Sequence, residues 1–209
     1  MNALKFADAH SSFNDAKFVI LGVPFDATSS FRSGSHFAPN RIREASYNFE
    51  TYLMEHDIDL IDIPIHDAGN LDEYGNADEM IDGVEDAVKK ILSKFPILIG
   101  GEHSLTMGAV KTFRDVSVVF IDAHLDFRNE YLGIKNSHAC ISRRVSEIVG
   151  VENVFSIGVR SFSREEKNDA EKTGLKYFSS FDVKEKGIEN IINNLHLKEK
   201  VYLSLDMDG

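Results

Sequence analysis

The chain has 209 residues, of which 43% are hydrophobic, enough to bury a substantial core without disulfides. Its 34 acidic against 23 basic residues give a net charge of −11, which argues against nucleic acid or an anionic membrane as the main partner, since affinity there comes from Lys and Arg. A single cysteine, Cys140, excludes an intramolecular disulfide and a cysteine-based structural zinc site. The opening MNALKFADAHSSF carries no leader pattern, and no apolar run is long enough to span a bilayer. The chain therefore reads as a soluble, cytoplasmic protein.

In chain order, the periodicity predicts a strand over 17–23, a helix over 40–53 behind Pro39, and a strand over 58–63. An exposed polar loop is expected over 67–78, then a helix over 77–94 and a strand over 96–100. Helices over 105–114, 138–149, 164–173 and 188–195 then alternate with strands over 116–121, 153–159, 175–178 and 201–205. Several strands are apolar on both faces, as parallel strands covered by helices on both sides must be. The β-then-α order predicts an α/β protein with a mostly parallel, doubly wound sheet, and ligand chemistry beyond the carboxyl ends of the strands. No repeat or linker-like tract divides the chain, so 1–209 reads as one domain.

Three strand ends carry unusual residues: GGEHS with His103, DAHLD with Asp122, His124 and Asp126, and SLDMD with Asp206 and Asp208. In an extended stretch, residues i, i+2 and i+4 share a face, so DxHxD directs three candidate ligands to one side and DxD two. Four carboxylates packed together would repel one another and resist ionisation, and divalent cations would neutralise them. Oxygen donors with imidazole and no thiolate suit Mn²⁺ better than a structural zinc, although ligand type alone leaves Zn²⁺, Co²⁺ and Fe²⁺ open. Each motif also has a bland explanation. A DxD is often a solvated pair, and in GGEHS the glycines allow close backbone approach while Ser104 is placed to cap the next helix.

Together, GGEHS, DAHLD and SLDMD resemble the ureohydrolase family, which includes arginase and agmatinase. The segment GVPFDATSSFRSGSHFAPNRIREAS (22–46) is similar to that family's N-terminal substrate-side loop and following helix. The resemblance implies a three-layer α/β sandwich and a centre of two Mn²⁺ per chain, whose bridging hydroxide hydrolyses a guanidinium group to urea and an amine. Carried onto this sequence, it implies that His103, Asp122, Asp126 and Asp206 hold one ion and that Asp122, His124, Asp206 and Asp208 hold the other, with Asp122 and Asp206 bridging. It further implies that Asp126 orients the nucleophile and shuttles its proton, and that His138 donates or relays a proton. Without the resemblance, His138 reads as a residue at the start of the helix that follows it.

The stretch DFRNEYLGIKNSHACISRR, with Arg128 in place of an asparagine-containing segment, looks like the agmatinase branch. Agmatine, cleaved to putrescine and urea in polyamine biosynthesis, is therefore the expected substrate, with guanidinobutyrate and arginine as competitors. Family members are trimers or hexamers, so a homo-oligomer is expected, with no nucleic acid or membrane partner. Family members also continue past SLDMD with further elements and a glutamate that grips the guanidinium. The sequence stops at Gly209, so the active enzyme is expected to extend further. A single-zinc deacetylase, a dinuclear phosphoesterase lacking its GDxxD pattern, and a non-catalytic subunit are the weaker alternatives.

Overall fold

The computed structural model describes residues 4–209. The first three residues of the N-terminal stretch read above for a leader, and of the 1–209 domain reading, lie outside that range. The chain divides into two compact units, one ending at Leu105 and the other spanning Thr106–Gly209.

In the first unit, β1 (Phe18–Val23) is the middle strand of a three-stranded parallel sheet. The intervening elements are α1 (Ala38–Ser46), a small antiparallel hairpin of β2 (Tyr52–Leu53) and β3 (Ile58–Asp59), β4 (Ile65–Asn70), α2 (Ala77–Lys90) and β5 (Phe95–Gly100). β4 and β5 flank β1, with Phe18 in register with Ile65 on one side and Phe95 on the other. Alternation along β1 sends Ile20 to a cluster with Ala9 and Ile65, and Val19 to a second cluster with Ala16 and Ile91, so the strand is buried on both faces.

α1 carries Pro in its first turn, where the missing N–H costs nothing, and buries Pro39, Arg43 and Ser46 at helical spacing. It stops at Ser46, short of the expected 53. The Ser46 hydroxyl donates back to the Arg43 carbonyl at 2.7 Å and accepts the Ala7 N–H at 2.9 Å, so local side-chain bonding competes with helix continuation. The expected strand over 58–63 shortens to β3 and a 3-10 turn at Leu60–Asp62. The expected loop over 67–78 begins inside β4, because Asp67 turns inward to a buried guanidinium. α2 opens on an Asn76 cap that accepts the Glu79 N–H at 3.0 Å, places acids in its first turn and lysines in its last, and buries Met80, Ile81, Val84 and Val88.

The second unit begins within α3 (Leu105–Phe113) and continues with β6 (Ser117–Ile121), α4 (Ile141–Val149), β7 (Val154–Val159), α5 (Arg164–Thr173), β8 (Lys176–Ser179), α6 (Ser180–Lys186), α7 (Ile188–Asn193) and β9 (Val201–Leu205). Its four strands are parallel in the order β8-β7-β6-β9. β6 therefore lies between two neighbours while β9 is an edge, with Leu203 and Leu205 exposed. Val119, Phe155 and Ile157 meet Ile191 of α7, with Val183 and Phe178 packed against them. The alternate residues Val118, Phe120 and Val154 are equally buried, so β6 and β7 are also buried on both faces. α6 escaped the sequence reading, yet Ser179 and Asp182 form a capping box at its start. Every pairing within the two larger sheets is parallel, as the β-then-α order predicted. Among the described residues no helix is long and apolar enough to cross a membrane.

Candidate metal centre

In the second unit, Asp122 follows directly on β6. Its N–H donates to the Ile157 carbonyl at 3.1 Å, the N–H groups of Arg160 and Ser161 both reach the Ala123 carbonyl, and the Leu125 N–H reaches Ser161. The DAHLD stretch is thereby sewn to the end of β7 after regular strand has ended. Asp122 is 2% exposed and Asp126 8% exposed, whereas the His124 side chain is 50% exposed.

The expectation that Asp122, His124 and Asp126 share one face of an extended strand needs correcting. Asp126 has a φ of 49°, a left-handed conformation that Asp tolerates better than most residues and that the surroundings must hold in place. Two bonds to the start of α4 do this: the Ser142 N–H donates to the Asp126 carbonyl at 3.1 Å, and the Ser142 hydroxyl donates to the Leu125 carbonyl. A turn, rather than strand alternation, brings the Asp126 carboxylate to within 4.8 Å of that of Asp122.

The other side of β6 supplies two more acids, Asp206 and Asp208. The Asp206 N–H extends the β6–β9 ladder to the Ile121 carbonyl at 2.9 Å, and the chain then turns, with the Asp208 N–H donating to the Asp206 carboxylate at 3.3 Å. The turn carries Asp208 over the end of β6, where its Oδ1 accepts the Ala123 N–H at 3.2 Å and its Oδ2 stands 3.1 Å from Nδ1 of His124. That nitrogen is also 3.5 Å from Oδ1 of Asp122. Ligand atoms of Asp122, His124 and Asp208 thus lie within 4.8 Å of one another, and Asp206 forms the base of the turn.

A set of carboxylate oxygens and imidazole nitrogen, partly buried, fits a divalent cation, which would offset charges that are costly to desolvate. The thiol is not part of it: burial pushes Cys140 up to about 11, so it stays protonated and a poor ligand near neutrality.

His103 belongs to the first unit, in the turn between β5 and α3. The second of the two glycines before it is required sterically, since a Cβ at Gly101 would stand 2.2 Å from the Phe25 carbonyl oxygen. Glu102, overlooked in the sequence, organises this corner: its carboxylate accepts the Thr28 N–H at 3.0 Å, the Thr28 hydroxyl at 2.7 Å and the Ser104 hydroxyl at 2.5 Å. Ser104, placed by the sequence to cap α3, donates its hydroxyl to Glu102. The loop that Thr28 anchors is braced again at Asp26, which accepts the Gly34 N–H at 2.6 Å and pairs with the His36 ring at 2.6 Å. Burial opposes ionisation of Asp26, but these hydrogen bonds outweigh it and hold the carboxyl below its ordinary range.

His138 opens a 3-10 turn ahead of α4. Its Nδ1 is 3.4 Å from the Ser137 hydroxyl and its ring meets Tyr131 edge-on, with centroids 6.0 Å apart. Arg128, the residue that marks the resemblance to the agmatinase branch, directs its guanidinium to Glu166 at 3.0 Å. Glu166 was legible as the fourth residue of a Ser-x-x-Glu capping box, although its tie to Arg128 was not.

Comparison with known proteins agrees with this arrangement. A structure described as agmatine ureohydrolase of Thermoplasma volcanium is 44% identical and superposes with a TM-score of 0.95 over 100% of this chain and 73% of that one. An N(1)-aminopropylagmatine ureohydrolase of Thermococcus kodakarensis is 38% identical over 92% of this chain and 67% of its own length. An agmatinase of Pyrococcus horikoshii is likewise 38% identical, over 93% of this chain and 69% of its own. The arginase family matches residues 16–209. With all three motif-bearing strand ends inside that match and a mostly parallel α/β fold around them, the chain belongs to the arginase family.

Proposed function

We propose that this protein hydrolyses the guanidinium group of agmatine, consuming one water to give putrescine and urea. The observation that carries the reading is the convergence of Asp122, His124 and Asp208 at the end of the inner strand β6. Relatives named agmatinase and N(1)-aminopropylagmatine ureohydrolase, alike over more than nine-tenths of this chain, support the substrate class.

We assign His103, Asp122, His124, Asp126, Asp206 and Asp208 as ligands of two divalent ions. Their oxygen and nitrogen donors suit Mn²⁺. When bound, such ions lower the pKa of water enough to supply a nucleophile near neutral pH. The residues of the chain do the rest. Asp122 and Asp208 fix the imidazole of His124 between two carboxylates. Asp126, locked by Ser142, accepts the proton of the attacking water as the carbon–oxygen bond forms. His138 donates a proton to the nitrogen that leaves as the carbon–nitrogen bond breaks, so the amine departs neutral rather than as an anion.

The single cysteine supports a reducing, cytoplasmic setting, and a putrescine product would make the reaction a step of polyamine biosynthesis. Exposed Phe49, Tyr52 and Met54 supply apolar surface for self-association into a homo-oligomer. The test is to load the purified protein with Mn²⁺ and measure urea released from agmatine, N(1)-aminopropylagmatine, guanidinobutyrate and arginine. Agmatine is expected to give the highest kcat/KM. Preference for arginine, or no urea from any of them, would overturn the reading.

A further inference from the structure

We infer that Arg128 is a positioning residue, which acts through Tyr131 to hold the His138 ring in place. This rests on the reading of His138 as the proton donor. The chain of contacts begins at Glu166, 5% exposed, whose carboxylate accepts the Ser163 N–H at 2.8 Å and the Phe127 N–H at 3.4 Å and pairs with Arg128 at 3.0 Å. A guanidinium held by a buried, hydrogen-bonded carboxylate has little freedom to swing towards substrate.

From that anchor, the Arg128 guanidinium carbon lies 5.2 Å from the centroid of the Tyr131 ring, within cation–π range. Tyr131 itself is clamped by two backbone bonds to Ile134, at 3.0 and 2.9 Å, around a turn whose middle residues, Leu132 and Gly133, have φ of 50° and 78°. Two successive positive φ values mark the tight turn that closes two-residue hairpins. The ring then meets His138 at 6.0 Å with an interplanar angle of 80°, the edge-to-face geometry aromatic pairs prefer. A second link closes the circuit, since the Arg128 N–H donates to the Ala139 carbonyl at 3.3 Å, next to His138. Arg128 thus braces the histidine through its side chain on one side and its backbone on the other.

The experiment compares Mn²⁺-loaded wild type with Tyr131→Ala, Tyr131→Phe, Arg128→Ala and Arg128→Lys, each also in a His138→Ala background. Tyr131→Ala and Arg128→Ala are expected to lower kcat about 10- to 100-fold, the cost of a misplaced catalytic group, with KM and metal content little changed. Tyr131→Phe keeps the ring and should restore the rate, and Arg128→Lys should restore it in part. In the His138→Ala background the same substitutions should have no further effect. Independently of turnover, the carbon-bound ring protons of His138 should shift in the NMR spectra of Tyr131→Ala and Arg128→Ala as the neighbouring ring is lost or displaced. An unchanged kcat, a loss confined to KM, or full additivity with His138→Ala would overturn the inference. Absence of urea from the wild type would instead overturn the proposed function, and the NMR shift would still decide whether Arg128 and Tyr131 set the ring.

Discussion

Asp67 in the first unit and Asp122 in the second are both 2% exposed, and both belong to parallel strands or their immediate ends. Their neighbours differ. Asp67 faces Arg43, itself fully buried, through two bonds of 2.7 and 2.8 Å, and also accepts the N–H groups of Phe6 and Gly69. Asp122 faces His124 and, within 4.8 Å, further carboxylates. Equal burial is therefore compatible with two roles. Asp67 has its cation supplied as a side chain, whereas the grouping of Asp122 with imidazole and more acid supports the proposal that it takes a cation from solution.

The largest effect should come from Asp122. Asp122→Asn is expected to strip metal and reduce urea formation by about 10³-fold or more, since the hydrolysis depends on ions that a neutral amide holds poorly. In EDTA the same variant should be at least as stable as wild type, because it removes a buried charge. A metal assay beside chemical denaturation checks both, and an apo-protein weakened by this substitution would break the contrast.

Asp67→Asn should behave in the opposite way. Leaving Arg43 buried without its anion costs about 3–5 kcal/mol, read as a lower denaturation midpoint, while any folded fraction retains its metal. The contrast sharpens with pH. Burial opposes ionisation of Asp67, but Arg43 and the two N–H donors outweigh it, so the folded carboxyl titrates below its ordinary 3.8. Its contribution is then complete above the unfolded value and lost as pH falls below about 4. Acid denaturation should steepen there in wild type and flatten in Asp67→Asn.

A smaller effect is expected at Asp208, in the turn after the edge strand and 48% exposed at its side chain. Asp208→Ala should weaken one of two ions by about 10- to 100-fold while sparing the other, a loss scaled to a partly solvated ligand. Competitive chelation resolves the two. The mildest prediction concerns Cys140, whose thiol is pushed up to about 11 by burial: iodoacetamide at pH 8 should label it slowly in native protein and readily in urea.

The sequence alone determined the β-then-α order, the parallel pairing and the three motif-bearing strand ends, because alternating apolar runs and turn chemistry are local signals. DAHLD was legible for the same reason, as four apolar residues running straight into an acid–imidazole–acid repeat. Only the tertiary structure decided the rest. β4 looked like loop because Asp67 is polar, and nothing in its neighbourhood announces an arginine 24 residues away. Asp126 reached its place through a left-handed turn fixed by Ser142, and Arg128 pairs with a buried glutamate 38 positions on. The physical reason is common to all three. Burial makes an unpaired charge or backbone group costly, so each finds whichever partner the fold brings near, and that nearness is set by strand order and not by distance along the chain.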